Sequence, residues 1–88
     1  MLYRQIDFTK SFVKHFKKLK EAQKQHFYER LEILKKNPHD RVLRDHALKG
    51  KYTGYRSIDI ENDLRALYYI KNDQIVIFAF IGSHSQLY

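Results

Sequence analysis

The stretch YRSIDIENDLRALYYIKNDQIVIFAFI, from Tyr55 to Ile81, decides the fold. Three runs rich in Ile, Leu, Val, Tyr and Phe are separated by two Asn-Asp pairs, Asn62-Asp63 and Asn72-Asp73. Asn and Asp tolerate the left-handed backbone of tight turns, so each pair marks a hairpin. The reading is three antiparallel strands, Tyr55–Glu61, Leu64–Ile70 and Gln74–Ile81. Two-residue turns at both pairs sort the side chains by face. Ile58, Ile60, Leu67, Tyr69, Val76, Phe78 and Phe80 would form one face, the seat for helices. Ser57, Asp59, Ala66, Tyr68, Ile77 and Ala79 would form the other, more polar and cleft-like. A slip of one residue would exchange the faces.

Upstream, Leu2–Asp7 reads as a further short strand. Thr9 is placed as a helix N-cap, with Phe8 and Val13 at the positions of a hydrophobic staple. Phe12, Phe16 and Leu19 then recur at helical spacing, and Phe27, Leu31 and Leu34 repeat the pattern. Asn37-Pro38 stops the second run, because the residue before proline avoids the helical region. A single helix from Thr9 to Lys36 would be ~42 Å long at 1.5 Å per residue, too long for so small a domain. An αα-hairpin breaking near Lys20–Ala22 is expected instead. His39–Tyr52 reads as loop, with a short helical turn around Val42–Arg44. The expected class is α+β in the order β-α-α-β-β-β, a single domain over residues 1–88. Its αα-hairpin packs on one face of a largely antiparallel four-stranded sheet.

Composition narrows the function. The chain carries 17 Lys+Arg against 10 Asp+Glu, a formal charge of +7, and no cysteine. Thiolate metal sites, disulfide scaffolds and cysteine nucleophiles are excluded. Met1 to Lys10 lack the apolar core of a signal peptide, and no stretch approaches the ~20 apolar residues that span a bilayer. A basic, cytoplasmic domain with a polyanionic partner is the expectation, with no membrane association. Ten of the cations lie in residues 1–40, mostly as lysines on the helices.

Ionisable groups that could do chemistry concentrate in the second half: Asp45-His46, Asp59, Asp63 and His84, among Lys49, Lys51, Tyr55, Arg56, Arg65 and Tyr88. Metal-free RNA cleavage needs a base for the 2′-OH, an acid for the departing 5′-oxygen and cations for the charged phosphorane. Histidine suits both proton roles near neutral pH. Asp59 stands inside a strand, where a carboxylate has no turn role; Asp63 is also a natural turn residue. These residues do not have the compact spacing of a metal site, although carboxylate and imidazole would suit Mn or Mg.

The order of residues is more specific than their kinds. His46-Ala-Leu-Lys-Gly50, Gly54-Tyr-Arg56, Asp59-Ile-Glu-Asn-Asp63, the Leu67-Tyr-Tyr strand and Gly82-Ser-His84-Ser-Gln-Leu-Tyr88 together resemble the YafQ branch of the RelE-like toxins. The resemblance covers about His46 to Tyr88. It implies a microbial-RNase-like fold and the toxin of a type II toxin–antitoxin pair. Such a toxin cuts mRNA in the ribosomal A site through the 2′-OH, with no metal or cofactor. The implied partners are mRNA, ribosomal RNA and a cognate antitoxin, with operator DNA reached only as the antitoxin complex. Position by position, His46 matches the loop histidine, a phosphate-contacting or proton-transfer group. Asp63 matches the turn carboxylate, a base or orienter, and His84 the tail histidine, the general acid. Tyr88 matches the terminal aromatic that positions a nucleotide. Asp59 stands where these toxins often carry a further histidine, which leaves Asp59 and His46 both open as the base. Lys49, Lys51, Arg56, Arg65 and Tyr55 are the expected RNA- and phosphate-binding set. For Arg56, on the helix side of the sheet, a structural ion pair competes with that role. Two other readings stand beside this one: a non-catalytic RNA- or ribosome-binding module, and a decayed toxin that retains only antitoxin binding.

Overall fold

The computed structural model describes residues 5–87. Its elements run β1 (Gln5–Phe8), α1 (Lys10–Phe16), α2 (Glu21–Lys36), β2 (His46–Ala47), β3 (Arg56–Glu61), β4 (Leu64–Lys71), β5 (Ile75–Ser83) and α3 (His84–Leu87). Single 3₁₀ turns lie at Arg41–Leu43 and Gly50–Tyr52. The strands form one sheet in the order β1-β5-β4-β3-β2, with β1 parallel to β5 and the other pairs antiparallel.

The local signals act where the sequence puts them. Thr9 caps α1, its hydroxyl oxygen accepting from the Phe12 amide at 3.1 Å and donating to the Ala79 carbonyl at 2.9 Å. The cap thereby also ties the helix start to β5. α1 ends at Phe16, and Lys20 is extended, with its amide donating to the Gln23 side chain at 3.0 Å. The break therefore covers residues 17–20 and meets the expected Lys20–Ala22 window only at Lys20, since Glu21 and Ala22 are already helical. α2 stops at Lys36, before Asn37-Pro38. The expected first strand survives as β1; Leu2 to Arg4 lie outside the described residues.

Two expectations need correction. The sheet has five strands, not four, because His46–Ala47 pairs with Ser57 and Arg56 at the edge of β3. Two residues are too few to leave an alternating pattern, so this edge strand reads as loop. The face assignment is also half inverted. Asn72-Asp73 does turn the chain, both residues with positive φ, but Gln74 is left over and Lys71 pairs with Ile75. A bulge at Ile60 makes Ile58 pair with Ala66 rather than Leu67. Both irregularities shift β4 by one residue, and a one-residue shift turns a strand over. Ala66 and Tyr68 therefore face the helices, while Leu67 and Tyr69 face away. A second bulge, at Ala79, sends Phe80 to the open face and Ile81 to the core.

α1 packs on β5 and α2 on β3. Between them lie Phe12, Phe27, Leu31, Leu34, Ile58, Ile60, Tyr68, Val76 and Phe78, all buried. Phe27 is the hub of an aromatic cluster, with ring centroids 5.3 Å from Phe12, 5.4 Å from Phe16 and 5.2 Å from Phe78. Each such side chain contributes about 1.5–3 kcal/mol by burial. With α1 and α2 on one face, the other face of β2 to β5 is left for function.

Candidate active site

The open face has an aromatic half and an ionic half. Tyr55 packs edge-on against Tyr52 and Tyr69, with centroids 6.2 and 5.5 Å apart, and at a tilt against Phe80 at 6.0 Å. All four rings are half-buried, so each keeps some surface in solvent. Lys51 lies over the Tyr52 ring at 5.2 Å, a cation–π contact, and Lys49 is exposed just before the same 3₁₀ turn.

One sheet row further along lies Asp59, opposite Arg65, which is opposite Gly82. Asp59 is only 17% exposed, and a guanidinium faces each of its oxygens: Arg65 Nε is 3.2 Å from Oδ1 and Arg44 Nε 3.5 Å from Oδ2. Arg65 also reaches Asp63 through Nη1 at 3.6 Å. The Asp63 carbonyl accepts from the His84 amide at 3.1 Å, so the hairpin turn and the start of α3 are held together. On the other flank, His46 Nδ1 lies 2.8 Å from the Arg44 carbonyl oxygen. A carbonyl only accepts, so Nδ1 carries the proton and the neutral ring presents Nε2 as an acceptor. His46, Asp59, Asp63 and His84 are thus joined in one series, with Arg44 and Arg65 as links.

Arg44 is the functional candidate that sequence reasoning missed. It has a left-handed backbone, φ 48°, at the end of the Arg41–Leu43 turn. That conformation swings its side chain onto the edge of β3 and its carbonyl toward His46. No periodicity or motif marks it; the one available signal was its place two residues before His46.

His84 gains its position from a feature read only as tail. Ser83 and Gln86 form a capping box: the Gln86 amide donates to Ser83 Oγ at 3.2 Å, and the Ser83 amide donates to Gln86 Oε1 at 2.8 Å. Gly82 makes room for it, since a Cβ there would meet Gln86 Oε1 at 2.9 Å. The far end of α3 is held by Tyr52, whose hydroxyl donates to the Leu87 carbonyl at 2.5 Å.

Arg56 stands apart. It faces the helix side, with Nε 2.7 Å from Asp45 Oδ1, and Tyr68 donates to the other oxygen of the same carboxylate. The Asp45 side chain is 7% exposed, and its hydrogen bond holds the Arg56 guanidinium more firmly protonated than usual. The ion pair weighed against a phosphate contact is the one present. Tyr88 lies outside the described residues. Among the described residues, no three His, Cys, Asp or Glu side chains are grouped to hold a metal ion, and no helix is long and apolar enough to cross a membrane.

Comparison with known proteins shows the family. Residues 4–88 match the family model for the YafQ bacterial toxin of type II toxin–antitoxin systems. The crystal structure of YafQ from Escherichia coli BL21(DE3) superposes with a TM-score of 0.81 at 25% identity, over 97% of this chain and 98% of that one. A copper-bound mutant toxin from Helicobacter pylori is 34% identical over the whole of both chains, with a TM-score of 0.76. YafQ in the E. coli DinJ–YafQ complex gives 27% identity and 0.71, over 97% and 98% of the two chains. No curated protein matches the chain.

Proposed function

Because the chain belongs to the YafQ family of bacterial type II toxin–antitoxin toxins, we propose that it stops translation by cutting mRNA in the ribosomal A site. The reaction is transesterification without a metal or cofactor. The 2′-oxygen bonds to phosphorus as its proton leaves, and the bond from phosphorus to the 5′-oxygen breaks as that oxygen gains one. The products are a 2′,3′-cyclic phosphate and a 5′-hydroxyl.

The observation that carries this reading is the series from His46 through Arg44, Asp59, Arg65 and Asp63 to His84 on the sheet's open face. The residues at its two ends, joined to it through backbone atoms, carry imidazoles, and guanidinium groups lie between, which supports a phosphorane with two proton transfers. His46, with Nε2 unprotonated, takes the 2′-OH proton. His84, exposed at the start of α3, supplies the proton to the 5′-oxygen. Asp63 keeps Arg65 and the α3 start in place. Tyr55 and its neighbouring rings offer surface on which a base can stack, Tyr88 positions a nucleotide, and Lys49 and Lys51 meet flanking phosphates.

In this reading a cognate antitoxin restrains the toxin, as DinJ accompanies YafQ in the E. coli complex. A groove lined by Phe8, Phe12, Val13, Phe16, Phe27 and Tyr28, flanked by Lys10, Lys14, Lys17 and Lys18, suits the apolar and acidic faces of an antitoxin helix. Operator DNA is bound only by that complex, and the site of action is the cytoplasm.

The test is inducible expression with 5′-end mapping of mRNA, wild type beside His84→Ala. In-frame cuts that require translation, lost in a folded His84→Ala protein, are expected. Full toxicity of that variant would sink the acid assignment. Ribosome binding without cleavage by the wild type would favour the non-catalytic reading.

A further inference from the structure

We infer that Asp59 is not the general base but the positioning residue of a two-arginine phosphate clamp, in which Arg44 and Arg65 grip the scissile phosphate. The inference rests on the ribonuclease reading above and assigns a role within it.

A general base must offer a lone pair to the 2′-OH. Asp59 Oδ1 is turned to Arg65 and Oδ2 to Arg44, and the side chain is four-fifths buried between them. A carboxylate so engaged is poorly placed to collect a proton, whereas His46 is exposed and hydrogen-bonds through Nδ1. The same arrangement is suited to holding two cations at a fixed separation. Two guanidinium groups on two loops or strands repel one another. One carboxylate between them offsets that repulsion and fixes their separation. Arg65 is already fixed, 21% exposed and tied to Asp63 as well. Arg44 is the opposite case: its side chain is 74% exposed, and Asp59 is its ion-pair partner. Asp59 therefore has most of its effect through Arg44, by keeping a long, solvent-facing side chain beside the reaction centre. A guanidinium fits a phosphate's oxygens as a planar fork, which an ammonium group cannot reproduce.

The experiment compares Asp59→Asn, Arg44→Ala, Arg44→Lys and the double variant Asp59→Asn/Arg44→Ala with wild type. Single-turnover mRNA cleavage in a translating extract is followed from pH 5.5 to 8.5, with thermal melts to confirm folding. Asp59→Asn should slow cleavage about 10–100-fold and leave the acidic limb of the profile where wild type has it. Arg44→Ala should match it, Arg44→Lys should not restore it, and the double variant should be little worse than either single change. Loss of the acidic limb in Asp59→Asn, or multiplicative losses in the double variant, would overturn the assignment and return Asp59 to the base role. A second arm needs no catalysis. Inorganic phosphate titrated into the wild type should move the Arg44 and Arg65 Nε–H resonances together, and Asp59→Asn should abolish the Arg44 response. No response in the wild type would refute the clamp even if cleavage is observed. Paired responses in a protein that cuts no mRNA would instead refute the ribonuclease reading and leave the clamp standing.

Discussion

Replacing Arg56 by alanine separates two roles that the sequence leaves in competition. The guanidinium donates at 2.7 Å to a carboxylate that is 7% exposed, and that carboxylate's other oxygen is taken by Tyr68. Losing a hydrogen bond to a charged group costs about 1.5–3 kcal/mol, and stranding a fully buried charge about 3–5 kcal/mol. The Arg56 side chain is itself 41% exposed, so water can enter where it was and solvate Asp45 in part. The expected loss is therefore about 2 kcal/mol. For a domain of this size that lowers Tm by roughly 8–16 °C. Removing the carboxylate as well, in Asp45→Ala/Arg56→Ala, should cost less than the sum of the single changes, because no unpaired charge remains. Thermal and urea melts measure the stability. Cleavage at 15 °C, where all variants are folded, should stay close to wild type, since Arg56 faces the helix side of the sheet, away from the open face. An unchanged Tm together with a large loss of cleavage would refute this reasoning and make RNA phosphate the main partner of Arg56.

Other consequences are as direct. Tyr52→Phe removes the donor to the Leu87 carbonyl; it should cost about 1 kcal/mol and slow cleavage at saturating ribosomes, because α3 carries His84, and an unchanged rate would detach α3 from catalysis. Phe27→Ala opens the centre of the aromatic cluster and should cost about 3–5 kcal/mol, seen as a shifted urea midpoint with little folded protein left at 37 °C. Changing Lys14, Lys17 and Lys18 to Gln should weaken ribosome binding and flatten its salt dependence, by close to one in the log–log slope for each lysine that meets a phosphate. Chemistry on bound substrate should be unchanged by those three changes; slower cleavage with intact binding would put the helix lysines at the reaction centre.

What the sequence made legible was chemistry acting within a few residues. Thr9 as a cap, Asn37-Pro38 as a stop and the Asn-Asp turns each act on their immediate neighbours, and each appears in place. What escaped depended on counting across strands. Gln74 and the bulges at Ile60 and Ala79 are single residues that leave no mark in composition, yet they decide that Tyr69 and Phe80 join Tyr55 on the open face. The β2 strand is short enough that only its partner Ser57 reveals it. The resemblance is untouched by such shifts, because motifs preserve residue order whatever the register.

The same irregularities make the site. With a regular two-residue hairpin at Asn62-Asp63, Asp59 would pair with Ala66, and Arg65 would turn to the helix side beside Ile60. The bulge at Ile60 instead sets Asp59 directly opposite Arg65. The bulge at Ala79 brings Gly82 into that row, so that Ser83 and the α3 cap begin beside the hairpin turn. Bulges add twist and re-aim side chains at a cost in ladder hydrogen bonds. At Ile60 that cost is met where a charged group gains its partner. Deleting Ile60 separates the pairing from the twist. It removes the extra residue of β3, so Glu61 stays opposite Leu64 and Asp59 stays opposite Arg65 in a regular ladder. A folded variant lacking Ile60 should therefore keep the Asp59–Arg65 ion pair and the anchor of Arg44, at the cost of one buried core side chain. Loss of cleavage in such a variant with the ion pair intact would show that the reaction needs the twist added by the bulge rather than the row of Asp59, Arg65 and Gly82.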